Sequence, residues 1–241
     1  MDNHTLNLLE SIDFGCFALI DPDKKNDKIL IDLIKAIDRS DFVAVLVGGS
    51  SIEDESFQKR LNIIKNNTIK PIVLFPGSSN QISNHADAIL FTSLLSGRNP
   101  KYLVEEQVKG VQLIKEYKLD VISTGYILIS NDSDSSSVQR NSKTRPLDSS
   151  NYDNILYHCL VAQYFGMKYV YLENGSGAKN VIDKNLIAFL KDNIDIPIIV
   201  GGGIKTNAEI IDFKKAGARF IVLGTILEKN PNIDFISSLI K

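Results

Sequence analysis

Ile198-Ile199-Val200-Gly201-Gly202-Gly203-Ile204-Lys205 opens the stretch that decides the fold, and Phe220-Ile221-Val222-Leu223-Gly224-Thr225 closes it. Both ends read alike: a short continuous apolar run, then glycine. Runs that are apolar at every residue, rather than at alternate ones, suit strands of a parallel sheet covered on both faces. Glycine directly after such a run lets the backbone come close to a ligand and leaves its N–H groups able to point at phosphate oxygens. Thr206 or Asn207 is placed to cap a following helix, whose N-terminus adds positive potential for an anion. In a (β/α)8 barrel the loops after strands seven and eight are the habitual phosphate site.

Outward from this stretch the pattern repeats along the chain. β-rich runs recur at Cys16–Ile20, Phe42–Val47, Ile72–Phe75, Ala88–Phe91, Val121–Ile129 and Tyr169–Leu172 before Ile198–Val200 and Phe220–Leu223. Amphipathic segments lie between most of them. Leu30, Leu33, Ile34 and Ile37 follow helical spacing, as do Ile182, Leu186, Phe189, Leu190 and Ile194. Eight rounds of strand and helix imply parallel strands, and eight strands close a barrel. The expected fold is therefore α/β, a TIM (β/α)8 barrel with parallel strands, in a single domain over residues 1–241. The length of 241 residues agrees with the roughly 200–250 that such barrels use. The third crossover, Pro76 to Ala86, reads mostly as loop, and the first ten residues as a small extra helix. One segment breaks the rhythm. Asn131 to Asn151 is polar and aperiodic, with Ser-Asp repeats, and reads as a mobile loop after strand five over the active-site mouth.

Composition narrows the function. A hydrophobic fraction of 44% and a charged fraction of 23% are those of a soluble globular protein. A net charge of −2 argues against nucleic acid as the main partner. No apolar run approaches the ~18–20 residues that span a bilayer. Met1 to Glu10 lacks a basic region before an apolar stretch, so no secretory signal and a cytoplasmic location are expected. Cys16 and Cys159 have no metal-ligand spacing and are expected to be buried reduced thiols. His4, His85 and His158 are paired with no carboxylate or nucleophile at a useful spacing.

The unusual residues fall just after strands, at the rim where this fold carries its active sites. Asp21-Pro22-Asp23-Lys24 follows strand one and Gly48-Gly49-Ser50-Ser51 follows strand two. A carboxylate from Asp21 and a hydroxyl from Ser50 suit Mg²⁺, which shares its shell with waters and substrate phosphates; an Asp-capped turn is the competing reading. Glu173-Asn174-Gly175-Ser176-Gly177 follows strand six. A carboxylate at that strand end is a natural general base, and a rim salt bridge is the alternative.

Taken in order, Asp21-Pro22-Asp23-Lys24, Val47-Gly48-Gly49-Ser50, Phe75-Pro76-Gly77-Ser78, Ser93-Leu94-Leu95-Ser96-Gly97-Arg98-Asn99-Pro100, Tyr171-Leu172-Glu173-Asn174-Gly175-Ser176-Gly177 and Gly201-Gly202-Gly203-Ile204-Lys205 resemble the geranylgeranylglyceryl phosphate synthase family of prenyltransferases. The likeness covers roughly residues 14–225. It implies transfer of a polyprenyl group, geranylgeranyl by expectation, from its diphosphate to the C3 hydroxyl of sn-glycerol 1-phosphate, with pyrophosphate released. By the resemblance, Asp21 and Ser50 match Mg²⁺ positions, and Glu173 is the catalytic base. Tyr171, Leu172, Glu173, Asn174, Gly175, Ser176, Gly177, Gly202, Gly203, Gly224 and Thr225 match the substrate site. Relatives form dimers or hexamers, so a homo-oligomer is implied, with a place in phospholipid biosynthesis. One branch of the family carries lysine two positions before the metal aspartate; here that residue is Leu19, as in the other branch. The segment after strand five is Ser/Asp-rich where relatives often carry glycine, and Lys143 and Arg145 are candidates for the diphosphate by charge.

Three other readings compete. A sugar-phosphate isomerase or aldolase would share the phosphate loops, but Lys70 and Lys168 stand at strand starts, the wrong end for a Schiff base. An FMN oxidoreductase would use the same loops and be coloured. A non-catalytic phosphate- or lipid-binding barrel would not need intact Asp21, Ser50 and Glu173.

Overall fold

The structure, a computed structural model, describes residues 3–49, 56–130 and 137–241. Ser50 therefore lies outside the described residues, as do residues 131–136 of the polar segment. In chain order the elements are α1 (His4–Glu10), β1 (Gly15–Ile20), α2 (Leu30–Asp38), β2 (Ala44–Val47), α3 (Phe57–Lys65), β3 (Ile72–Leu74), β4 (Ala88–Leu94) and α4 (Glu106–Glu116). β5 (Asp120–Leu128), α5 (Ser137–Ser142), α6 (Tyr152–Tyr164), β6 (Tyr169–Glu173), α7 (Lys184–Lys191), β7 (Ile198–Gly201), α8 (Asn207–Lys215), β8 (Phe220–Leu223), α9 (Thr225–Lys229) and α10 (Ile233–Leu239) follow. The strands pair in sequence order and close into a barrel, as the eightfold alternation implies.

Contacts gather into two units. One comprises the chain up to Leu90 with Lys109–Val121 and Leu223–Lys241; the other comprises Phe91–Val108 and Ile122–Val222. In the first, β1, β2 and β3 run parallel, with Leu19 opposite Leu46 and Val47 opposite Leu74. β2 and β3 are buried at every residue, which is why they read as unbroken apolar runs. Leu30, Leu33, Ile34 and Ile37 of α2 are all buried, so the helical spacing marks one inward face. α1 is held by its first turn: Thr5 N and Leu6 N donate to the buried Asp120 carboxylate at 2.6 and 3.3 Å.

In the second unit β5, β6, β7 and β8 run parallel, with Tyr126 opposite Tyr171 and Glu173 opposite Gly201. Leu186 and Leu190 of α7 are buried; Ile182 and Ile194 are buried too but lie beyond the ends of the helix. The segment after β5 has more structure than its composition suggests. It carries α5, and Leu147 pairs with Ile129. α5 has no apolar face to announce it. Polar bonds hold it instead: Tyr102 OH donates to the Asn141 carbonyl at 3.1 Å, and Ser142 Oγ donates to the Val138 carbonyl at 2.7 Å. β4 runs on through Thr92 and Ser93, past the end of its apolar run. Cys16 and Cys159 are buried free thiols, and burial pushes Cys159 up to about 12. Among the described residues no helix is long and apolar enough to cross a membrane.

Candidate active site

Glu173 ends β6. Successive strand residues point to opposite faces, so Glu173 shares a face with Tyr171, while Leu172 faces the other way. Only 7% of Glu173 is exposed. Its Oε2 accepts a hydrogen bond from Tyr171 OH at 2.9 Å, and its Oε1 accepts one from Gly175 N at 2.6 Å. Burial raises its proton affinity above the ordinary carboxylate range, and the two hydrogen bonds oppose that rise. The result is a desolvated carboxylate whose proton affinity is moved in the direction a base working near neutrality needs. Tyr126 packs edge-on against Tyr171, with ring centroids 5.2 Å apart and planes at 87°. Burial, with the Glu173 charge adding, holds both tyrosine hydroxyls protonated.

The glycines beside this carboxylate are there for room. At Gly201 a Cβ would overlap the Tyr171 hydroxyl. Gly202 has φ 90°, and a Cβ there would stand 2.6 Å from Glu173 Oε1 and 2.9 Å from the backbone nitrogens of Asn174 and Gly175. Gly202 and Gly203 thus line the Asn174–Asn180 turn, which is tied back by Asn174 Nδ2 to the Asn180 carbonyl at 2.6 Å. Ser176 and Gly177 are exposed, and a Cβ at Gly177 would meet nothing within 4 Å beyond its chain neighbours. Thr206 caps α8 as its place implies, within a reciprocal capping box: Thr206 Oγ1 accepts from Glu209 N, and Glu209 Oε2 accepts from Thr206 N at 2.9 Å and Lys205 N at 2.8 Å. The sequence pattern Thr206-x-x-Glu209 was available as a signal for that second partner.

The other unit holds Asp21, which directly follows β1. Its carboxylate Oδ2 is 2.8 Å from Lys25 Nζ. Asp21 N and Asn26 Nδ2 both donate to Glu228 Oε1, at 3.3 and 2.9 Å, and Asn26 Nδ2 also donates to the Asp21 carbonyl at 2.8 Å. Burial raises the proton affinity of Glu228, and Lys25 opposes the rise. Gly49 lies against Asp21, where a Cβ would crowd the carboxylate. The buried Gln81 amide ties this loop to the next: Gln81 Nε2 donates to the Gly49 carbonyl at 2.7 Å, while Gly49 N and Gly77 N donate to Gln81 Oε1 at 3.3 and 3.1 Å. Lys25, Asn26, Gln81 and Glu228 were not singled out in the sequence. Asp21 and Lys25 do stand four apart, but the rest are joined only by folding. A Cβ added to Gly224, which precedes α9, would stand 3.5 Å from Leu19 Cβ, so the residue at position 19 borders the loop after β8. Among the described residues no group of three or more His, Cys, Asp or Glu could hold a metal ion.

Residues 12–240 match the model of the PcrB family. The chain belongs to that family. The PcrB-family chain is 44% identical over 212 residues to the geranylgeranylglyceryl phosphate synthase of Flavobacterium johnsoniae, covering 88% of this chain and 87% of the relative. To the enzyme of the same name from Pyrococcus furiosus it is 36% identical over 219 residues, 90% of this chain and 86% of the relative. Among solved structures it is similar to (S)-3-O-geranylgeranylglyceryl phosphate synthase from Thermoplasma acidophilum in complex with its substrate sn-glycerol-1-phosphate. That likeness has a TM-score of 0.88 at 32% identity and covers 98% of this chain and 96% of the other.

Proposed function

We propose that this PcrB-family protein is a prenyltransferase of lipid biosynthesis that joins a polyprenyl group, geranylgeranyl by preference, to the C3 hydroxyl of sn-glycerol 1-phosphate. The bond from the allylic C1 to the diphosphate oxygen breaks, and pyrophosphate leaves. The glycerol C3 oxygen bonds to that carbon, and its proton passes to Glu173 Oε. The observation that carries this reading is the buried Glu173 carboxylate at the end of β6, oriented by Tyr171 OH and Gly175 N. Tyr171, Leu172, Glu173, Asn174, Gly175, Ser176, Gly177, Gly202, Gly203, Gly224 and Thr225 hold glycerol phosphate in this reading. Leu172 contributes through its backbone, since its side chain lies on the far face of β6.

Asp21 fits a Mg²⁺ ion. It is a partly exposed carboxylate at a strand end, next to a glycine that leaves it uncrowded, and Mg²⁺ binds through one or two carboxylates plus substrate phosphates rather than through a full protein cage. Ser50 is the second proposed holder. An ion held by Asp21 and Ser50 would neutralise the charge that builds on the leaving diphosphate. Asn26 and Glu228 fix the backbone that presents Asp21.

We further place the protein in the cytoplasm, where its two free buried thiols stay reduced. A single barrel domain and a homo-oligomer complete the proposal. For the latter, α6 exposes Tyr157, Val161 and Tyr164, its C-cap Phe165 is exposed beside them, and no charged residue lies between Asp153 and Lys168. Incubation with labelled glycerol 1-phosphate and prenyl diphosphates of graded length, with Mg²⁺ or excess EDTA, tests the activity. A phosphorylated glyceryl ether that forms only with metal is expected. No ether from any donor refutes the activity, and full turnover in EDTA refutes the metal. Light scattering tests the oligomer, and a monomer at all concentrations refutes it.

A further inference from the structure

Lys25 has no part in the reaction as described, yet it sits on the residue proposed to hold the metal. Its Nζ is 2.8 Å from Asp21 Oδ2, although the lysine side chain is 56% exposed and that of Asp21 only 30%. The charges of Asp21, Glu228 and Asp23 all favour its ammonium. The turn does not need Lys25 to hold its shape. Glu228 and Asn26 pin the backbone of Asp21. On the other side, Arg60 donates to the Pro22 carbonyl at 3.3 Å and grips Asp27 with Nε at 2.5 Å and Nη2 at 3.0 Å. What Lys25 contributes is positive charge at Oδ2, one of the two Asp21 carboxylate oxygens open to a divalent cation. An ammonium is a compact point charge on a flexible stem, so it can leave as readily as it arrives.

We propose that Lys25 is a positioning residue: its ammonium holds the cation's place on Asp21 and passes to a diphosphate oxygen when magnesium enters, so that metal and diphosphate bind as one unit. The inference rests on Asp21 being the metal carboxylate. Without diphosphate, the metal must displace an ion pair and then lie beside a stranded ammonium. With diphosphate, that ammonium has an anion to move to. The two ligands then strengthen each other, and such coupling is reciprocal.

Binding measurements that require no turnover test this. Mn²⁺, a paramagnetic stand-in for Mg²⁺, is titrated into the full protein by electron paramagnetic resonance, with and without inorganic pyrophosphate. Calorimetry follows the pyrophosphate. Wild-type protein should bind Mn²⁺ weakly alone and at least about fivefold more tightly with pyrophosphate, the low end of typical coupling. Lys25→Met keeps the stem and removes the charge. It should bind Mn²⁺ alone about fivefold more tightly, the worth of one exposed ion pair, and bind pyrophosphate more weakly. Lys25→Arg should restore weak Mn²⁺ binding and the coupling. Unchanged Mn²⁺ affinity in Lys25→Met with a native circular dichroism spectrum overturns the role of Lys25. An Asp21→Asn protein that binds Mn²⁺ with pyrophosphate as wild type does overturns the metal assignment itself.

Discussion

Replacing Glu173 by Gln separates a base from a structural carboxylate, because the local hydrogen bonds permit the swap. With the amide oxygen kept toward Gly175 N, the new NH₂ faces Tyr171 OH, which can rotate to accept in place of donating. No donor then faces a donor. The two bonds lose charge assistance, at about 1 kcal/mol each. Against that loss, the variant no longer buries a charge. Burial raises the proton affinity of Glu173, so the folded protein binds this proton more tightly than the unfolded chain does. Its contribution to stability is complete below the ordinary carboxylate range and is lost as pH rises through the raised folded value. The Gln variant has no such loss. At neutral pH its melting temperature should match or exceed that of the wild type, while kcat falls about 10²–10⁴-fold, the worth of a positioned base. Wild-type kcat/KM should rise with pH through a value above the ordinary carboxylate range and then level off. Steady-state kinetics and scanning calorimetry across pH measure both effects. Near-normal turnover, or a lowered melting temperature with an unchanged rate per folded molecule, would refute the assignment.

Three further outcomes follow from the geometry. Gly202→Ala puts a Cβ against Glu173 Oε1 at φ 90° and should raise KM for glycerol phosphate about tenfold or more, whereas Gly166→Ala, also left-handed but in open space and outside the proposed site, should cost only about 1–2 kcal/mol of stability; equal KM values in the two variants refute this. Asp120→Ala removes the acceptor for Thr5 N and Leu6 N, so hydrogen exchange in α1 should speed up and stability fall by about 1–3 kcal/mol, with the rate per folded molecule retained; unchanged exchange refutes it. Lys143 adopts φ 54° after α5, so Lys143→Gly should raise the melting temperature by about 2–4 °C; a lower one refutes the strain.

The strands were legible because burial on both faces writes itself as unbroken apolar runs, and Glu173 because it directly follows such a run. Leu30 to Ile37 marked α2 by the same logic of a buried face. What stayed hidden depends on pairings remote in the chain. Glu228 reaches Asp21 across 207 positions and Gln81 reaches Gly49 across 32, and neither has a periodicity that announces a partner. The need for glycine at position 201 comes from the Tyr171 hydroxyl on the neighbouring strand, so the residues alone suggested a phosphate loop but not the packing reason. α5 escaped because polar bonds rather than an apolar stripe hold it.

The reciprocal cap on α8 bears on how an anion would be recognised beside Gly202 and Gly203. The Glu209 carboxylate occupies the N–H groups of Lys205 and Thr206 and lays a negative charge across the helix terminus, cancelling much of its long-range pull. Recognition there is left to short-range donor geometry, which counterions shield poorly. Affinity for a phosphate headgroup at this loop should therefore change little with ionic strength, and selectivity should follow the shape of the headgroup more than its charge.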